Sequence, residues 1–269
     1  MPELPEVEYA ARRLREAVLG HTIARVRVHH ASQRRGLPET AQRATEGLTI
    51  DRVERRAKIQ LLHLGNGAVL EVHFRMTGDW EFSPLAADPP RHERVSFDTT
   101  AGVRVSLVDS RAFSVVRLHP PGTFVLPPLG PEPLEEAFTP TVLRQALARR
   151  RGAIKSVLLD QHVVAGVGNI YAAEALWEAR IHPAAVANTL SVARVTRLRD
   201  AIQLVLRTAP TGRYYAREFA EAAHAVIDER EIWRVYGREG CACRRCGFRV
   251  TRIVQGARST FYCSRCQRV

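Results

Sequence analysis

Four of the five cysteines in this 269-residue chain form two knuckles, Cys243-x2-Cys246 and Cys263-x2-Cys266, sixteen residues apart. Two CxxC pairs separated by about 15–20 residues have the spacing at which each pair turns two thiolates toward one tetrahedral Zn2+. The stretch from Phe248 to Phe261 between them is long enough for a β-hairpin. A 33-residue tail (237–269) buries too little apolar surface to fold alone, so one structural Zn2+ would supply its folding energy. A pair of disulfides is the alternative, which a reducing compartment disfavours. Cys241 is left over as a spectator. At the other end of the chain, Glu3 and Glu6 follow Pro2 at i, i+3 spacing, one helical turn apart. Two such carboxylates beside an amine can supply a proton donor and an electrostatic partner for a cationic intermediate. Taken alone, they read better as acids that favour a helix N-terminus through its macrodipole.

These groups need elements to hold them. Val7, Ala11, Leu14 and Val18 recur at helical spacing and predict a helix over 3–19, stopped by Gly20. From 22 to about 127 the pattern shortens to strands near 23–28, 50–53, 59–62, 69–72, 95–97 and 103–108, broken by turn signals such as Gly65-Asn66-Gly67. Short strands at this spacing predict a β-sandwich or barrel. Residues 127–133 hold four prolines in seven positions and can continue neither a helix nor a central strand, so they read as a linker. Helical patterns follow at about 140–150, 153–160, 169–178, 191–207 and 216–229.

Composition narrows the function classes. With 45% hydrophobic and 25% charged residues the chain is globular rather than disordered. It has no apolar run of about 18 residues, so no membrane span is expected. The acidic start is unlike a signal peptide, and the expected location is the cytoplasm. The formal charge of +12 points to a polyanionic partner, most simply nucleic acid. Arginine is the default cation, with Lys58 and Lys155 the sole lysines. A compact ammonium is not interchangeable with a planar guanidinium, so these two positions are candidates for chemistry. The tail carries eight arginines against one acid, more than offsetting the −2 of four thiolates and one Zn2+.

Several motifs, in order, carry a resemblance. Pro2-Glu3-Leu4-Pro5-Glu6-Val7-Glu8, Arg55-Arg56-Ala57-Lys58, His73-Phe74-Arg75-Met76-Thr77-Gly78 and Asp109-Ser110-Arg111-Ala112-Phe113 lie in the first half. Leu158-Leu159-Asp160-Gln161, Ala165-Gly166-Val167-Gly168-Asn169-Ile170-Tyr171, Val235-Tyr236-Gly237-Arg238 and the cysteine knuckles lie in the second. Together they resemble the formamidopyrimidine-DNA glycosylase family, bifunctional base-excision repair enzymes that include endonuclease VIII. The resemblance implies an α+β multidomain fold: an N-terminal helix and β-sandwich forming a catalytic domain over 1–126, a linker and helix–two-turn–helix domain over 127–236, and a zinc-ribbon hairpin over 237–269. It also implies damaged double-stranded DNA as partner, held between the sandwich and the helical part. A monomer is the simplest expectation, located in the cytoplasm with the bacterial nucleoid.

The family chemistry fits the residues. Removal of Met1 ahead of a small residue would free the secondary amine of Pro2, and an α-amine titrates near 7.7–8.0, far below lysine. A neutral amine can attack the anomeric carbon of a damaged nucleoside, and the resulting iminium permits β- and then δ-elimination. By resemblance, Glu3 acts as general acid/base and Glu6 assists ring opening. Lys58, Asn169 and Arg258 hold phosphates flanking the lesion, Lys58 being counted with the catalytic set. Met76, Arg111 and Phe113 fill the void left by an extruded base. Lys155 and Tyr171 are expected at the DNA. The stretch 207–217 lacks the glycine-rich capping run of the enzymes that take 8-oxoguanine, and is more similar there to endonuclease VIII. The sequence therefore leaves open oxidised purines, oxidised pyrimidines, mainly abasic-site cleavage, and a non-catalytic damage-binding protein on the same fold.

Overall fold

In the computed structural model, which describes residues 2–209 and 229–268, the first element is helix α1 (Leu4–Val18). Glu3 caps it, Pro5 sits in its first turn, and Gly20 at φ 78° takes the chain out of it. Its apolar face of Val7, Ala10, Leu14 and Val18 is buried. Eight strands follow: β1 (Ile23–Val28), β2 (Ile50–Arg56), β3 (Ile59–Leu64), β4 (Val69–His73), β5 (Asp79–Pro84), β6 (Glu93–Thr99), β7 (Val103–Val108) and β8 (Val115–His119). A short helix α2 (Glu39–Thr45) lies between β1 and β2.

The strands make two four-stranded antiparallel sheets, ordered β1-β6-β7-β5 and β2-β3-β4-β8. One apolar cluster is shared by α1 and both sheets, with Trp80 at its centre, edge-on to Phe74 and Phe97. This is a β-sandwich with a helix packed on it. Strands β5 and β8 and helix α2 are additional to the elements expected from the sequence. In β5 the alternation is brief, Trp80 and Phe82 facing the core between Asp79 and Glu81 before Ser83-Pro84, and in β8 Val116 is the one fully buried side chain, so no buried–exposed alternation marks it.

The chain divides into two compact units, Met1–Pro127 and Pro128–Val269, within the proline-rich stretch. The second unit holds α3 (Pro140–Leu147), α4 (Ile154–Leu158), α5 (Asn169–Glu178), α6 (Val192–Arg207) and a helical turn α7 (Glu229–Ile232). Seven consecutive residues of α5, from Tyr171 to Trp177, are buried, so α5 is the axis around which the unit packs. The hairpin β9 (Thr251–Gln255) and β10 (Arg258–Tyr262) closes the ribbon. A small core of Ala173, Trp177, Val235, Val250, Phe261, Cys243 and Cys263 joins α5 to it. The helix expected over 216–229 lies almost entirely outside the described residues, as does most of the 207–217 stretch.

Candidate active site and metal centre

In the first unit, register alone gathers the motifs. Arg56 pairs with Ile59, Ile59 with His73, and His73 with Val115, so β2, β3, β4 and β8 end on one line across their sheet. The turn with Lys58, the loop 74–78 with Met76, and the loop 109–114 with Arg111 and Phe113 all emerge at that end. Arg55 ties the same end to α1, donating from Nε to Glu8 Oε2 at 2.6 Å and from a terminal nitrogen to the Ala57 carbonyl at 3.1 Å.

At the start of α1, Pro2, Glu3 and Glu6 are all buried. The Glu3 amide donates to Glu6 Oε2 at 2.8 Å, within a capping box that fixes both carboxylates on the first turn. Lys58 is half-buried beside Ala57, whose φ of 51° makes the tight turn. His73 adjoins it. Burial first, then the charges of Arg75 and Lys58, push the His73 pKa down to about 4. Its Nδ1 accepts the Arg75 amide at 2.9 Å, so the ring is neutral with its proton on Nε2. His73 is a further candidate at this end, at the strand position paired with Ile59 and next to Lys58.

The void-filling candidates are on the surface: Met76 is 38% and Phe113 51% exposed, and the Arg111 guanidinium lies 4.7 Å from the Phe113 ring centre. Behind them Asp109 is buried, and its carboxylate accepts the Thr77 hydroxyl, the Arg111 amide (3.1 Å) and the Ser114 amide (2.7 Å). Burial raises the Asp109 pKa, but these hydrogen bonds outweigh it and the net shift is downward, so it remains a carboxylate.

The second unit assembles a different cluster. Asn169 opens α5, and both ends of its amide are engaged: Oδ1 accepts Lys155 Nζ at 2.5 Å, while Nδ2 donates to the Ser259 carbonyl (3.1 Å) and the Tyr236 hydroxyl (3.3 Å). Arg258 is exposed at the hairpin tip, where Gly256 (φ 53°) and Ala257 (φ 58°) form a two-residue turn with both φ angles positive.

Two residues expected at the DNA lie inside instead. Lys155 is fully buried, and its ammonium also reaches Thr260 Oγ1 (2.8 Å) and the Ser259 carbonyl (3.3 Å). These internal acceptors tie the Lys155 ammonium, and Asn169 with it, to Ser259 and Thr260 of β10. Tyr171 is 1% exposed, with its ring edge-on to Trp233, 5.5 Å between centres. Packing within the second unit turns both side chains inward. Tyr236 contributes its hydroxyl to the Asn169 cluster.

The metal centre is well defined. One sulfur atom from each of Cys243, Cys246, Cys263 and Cys266 lies within 4.8 Å of the others, with Cys246–Cys263 at 3.5 Å and Cys243–Cys266 at 4.0 Å. Four ligands about 2.3 Å from a tetrahedral Zn2+ stand about 3.8 Å apart, so the donor set fits the ion. Burial raises the Cys243 pKa, but the Arg245 amide and the Trp177 indole N–H (3.4 Å from Sγ) bring it down to about 6. Burial and neighbouring thiols push Cys266 up to about 12. Cys241 stands outside the cluster.

Three family models cover most of the chain: the formamidopyrimidine-DNA glycosylase N-terminal domain over 1–116, the H2TH domain of the same enzymes over 129–215, and a zinc finger found in FPG and IleRS over 242–269. The formamidopyrimidine-DNA glycosylase of Novosphingobium aromaticivorans is 42% identical over 277 residues, spanning 100% of both chains. The chain belongs to the formamidopyrimidine-DNA glycosylase family. The enzyme of that name from Thiobacillus denitrificans is 39% identical over 271 residues, again at full length. Among solved structures, the Lactococcus lactis glycosylase bound to DNA containing an AP site matches with a TM-score of 0.86 at 30% identity, over 99% of this chain and 100% of that one. A MutM in complex with DNA carrying carbocyclic 8-oxo-G matches equally well over 100% of both chains. Membership of this glycosylase family makes the chain an enzyme with one structural zinc held by its four knuckle cysteines. Among the described residues no helix is long and apolar enough to cross a membrane.

Proposed function

We propose that the protein is a DNA glycosylase and AP lyase that excises oxidised bases of the formamidopyrimidine and 8-oxoguanine type from double-stranded DNA. The observation that carries this reading is the pair of buried side chains, Glu3 and Glu6, on the first turn after Pro2, where the Glu6 carboxylate accepts the Glu3 backbone amide at 2.8 Å. Once Met1 is removed, the Pro2 nitrogen attacks C1′ of the damaged nucleoside. The C1′–N bond breaks, its electron pair leaves with the base, and Glu3 supplies the proton. The Pro2 nitrogen gives up its proton, its lone pair closes the iminium as the C1′–O4′ bond breaks, and O4′ takes a proton with the assistance of Glu6. Loss of the C2′ proton then expels the 3′ phosphate, and a second elimination expels the 5′ phosphate.

Lys58 and His73 serve the phosphate beside this chemistry, and Asn169 and Arg258 serve phosphates from the second unit. Met76, Arg111 and Phe113 occupy the gap left by the extruded base, with Arg111 reading the base opposite. The curated relatives, matched at full length and named for formamidopyrimidine, favour oxidised purines over oxidised pyrimidines. Residues 1–126 are the catalytic domain in this reading, 127–236 grip the DNA backbone and 237–269 complete the grip. One copy of the chain supplies every group required, so it acts as a monomer on the bacterial nucleoid.

Borohydride reduction traps an iminium. Duplexes carrying 8-oxoguanine, formamidopyrimidine, 5-hydroxycytosine or an abasic site are expected to give a one-to-one adduct that peptide mapping places on Pro2, with the two purine lesions best. An adduct on Lys58, or none from protein beginning at Pro2, contradicts the mechanism. A best yield with 5-hydroxycytosine contradicts the lesion class.

A further inference from the structure

The loops bearing Met76 and Arg111 are twin crossings between the two sheets. Loop 74–78 runs from β4 to β5, and loop 109–114 returns from β7 to β8. Both are bracketed by the same two strand pairs, His73 with Val115 in one sheet and Asp79 with Val108 in the other. They therefore run side by side in opposite directions. Each is forced into an uncommon backbone form. Arg75 (φ 58°) and Ala112 (φ 56°) are left-handed, and a Cβ on Gly78 would stand 2.8 Å from the Phe74 carbonyl oxygen. Two short strained loops need a tie between them to keep one geometry. The buried Asp109 carboxylate provides it: Oδ1 takes the Thr77 hydroxyl from one loop and the Arg111 amide from the other, and Oδ2 takes the Ser114 amide. Gln33 braces the far end, donating to the Ser114 carbonyl (2.7 Å) and accepting the Val116 amide (3.1 Å).

We propose that Asp109 is a positioning residue that clasps both crossings through Thr77, so that Met76, Arg111 and Phe113 act as one rigid wedge and discrimination of the base opposite the lesion depends on the clasp. Asp109 itself is 1% exposed, behind the surface that Met76, Arg111 and Phe113 present. The proposal rests on the wedge assignment given under Proposed function.

Asp109→Asn risks misfolding, so Thr77 is the point of test. Thr77→Val keeps the shape and removes the donor, and Thr77→Ser keeps the donor. The readout is the ratio of dissociation constants for duplexes with a reduced abasic analogue opposite cytosine or opposite adenine. The comparator is strand cleavage at an abasic site in single-stranded DNA, where no opposite base exists. Thr77→Val should collapse the ratio by about tenfold, the loss expected for one hydrogen bond to a charged acceptor, and Thr77→Ser should restore it. Single-strand cleavage should stay unchanged in both. An unchanged ratio in Thr77→Val with Pro2 trapping intact overturns the clasp alone, as does an equal loss of single-strand cleavage. A wild-type protein that fails to trap overturns the functional reading and the clasp with it.

Discussion

His73 shows how a single side chain records its surroundings. It sits at the last position of β4, paired with Ile59 and Val115, between the charges of Lys58 and Arg75. Burial and those two cations hold its pKa near 4, below its ordinary 6.5. Between these values the unfolded chain binds a proton that the folded chain refuses. Stability therefore rises with pH across that window, and this contribution is lost as pH falls from about 6.5 toward 4. At 1.36 kcal/mol per pKa unit its ceiling is about 3 kcal/mol, reduced by the solvent that reaches a half-buried ring. His73→Gln keeps an acceptor for the Arg75 amide and cannot charge. Its melting temperature should vary less between pH 4 and 6.5 than that of the wild type. Parallel melting-temperature curves would show that the His73 ring is not held neutral.

At the scale of elements, the ribbon and α5 are one structure. Trp177 of α5 donates to Cys243, and its ring lies 3.9 Å beneath the Arg245 guanidinium, which also donates to the Trp177 carbonyl at 2.8 Å. The apolar joint between helix and ribbon is a handful of side chains, so the metal dominates, at about 10–16 kcal/mol for a structural zinc site. Cys263→Ser should lose its zinc by metal analysis, shift the tryptophan emission as Trp177 loses its thiolate and cation neighbours, and weaken DNA binding. Retention of one zinc per chain would remove Cys263 from the ligand set. The contrast with the rest of the site explains what the sequence made legible. The cysteine knuckles are local, so spacing alone revealed them, and the start of α1 is local too. Asp109 was visible as part of a motif, but its tie to Thr77 spans 32 residues and exists only after two sheets pair. Lys155 and Tyr171 were singled out by residue type and motif, yet whether such residues face solvent or interior is decided by what packs on α4 and α5. No periodicity within five or ten residues contains that information.

Over the whole molecule, charge sets how the protein meets its partner. Several acids are engaged in ion pairs with arginine: Asp98 bridges Arg27 (2.5 Å) and Arg104 (2.9 Å), Glu8 holds Arg55, and Glu178 holds Arg234 (2.6 Å). What remains is a net +12, carried almost wholly by arginine. Such a field raises the rate of encounter with DNA, but only cations that displace counterions at the phosphates enter the salt dependence of the complex. The proposed contacts can therefore be sorted by slope. Arg258, exposed at the hairpin tip, is charged, whereas Phe113 is a neutral wedge. On an abasic-analogue duplex, log K against log salt should be steep and linear for the wild type. Arg258→Ala should reduce the slope by about one, so that raising salt from 50 to 200 mM costs it three- to fourfold less affinity than the wild type loses. Phe113→Ala should weaken binding at every salt concentration along a parallel line. An unaltered slope for Arg258→Ala would mean that the hairpin tip does not sit on a phosphate. A reduced slope for Phe113→Ala would mean that the wedge does more than fill space, because its loss would then have shifted charged groups off the backbone.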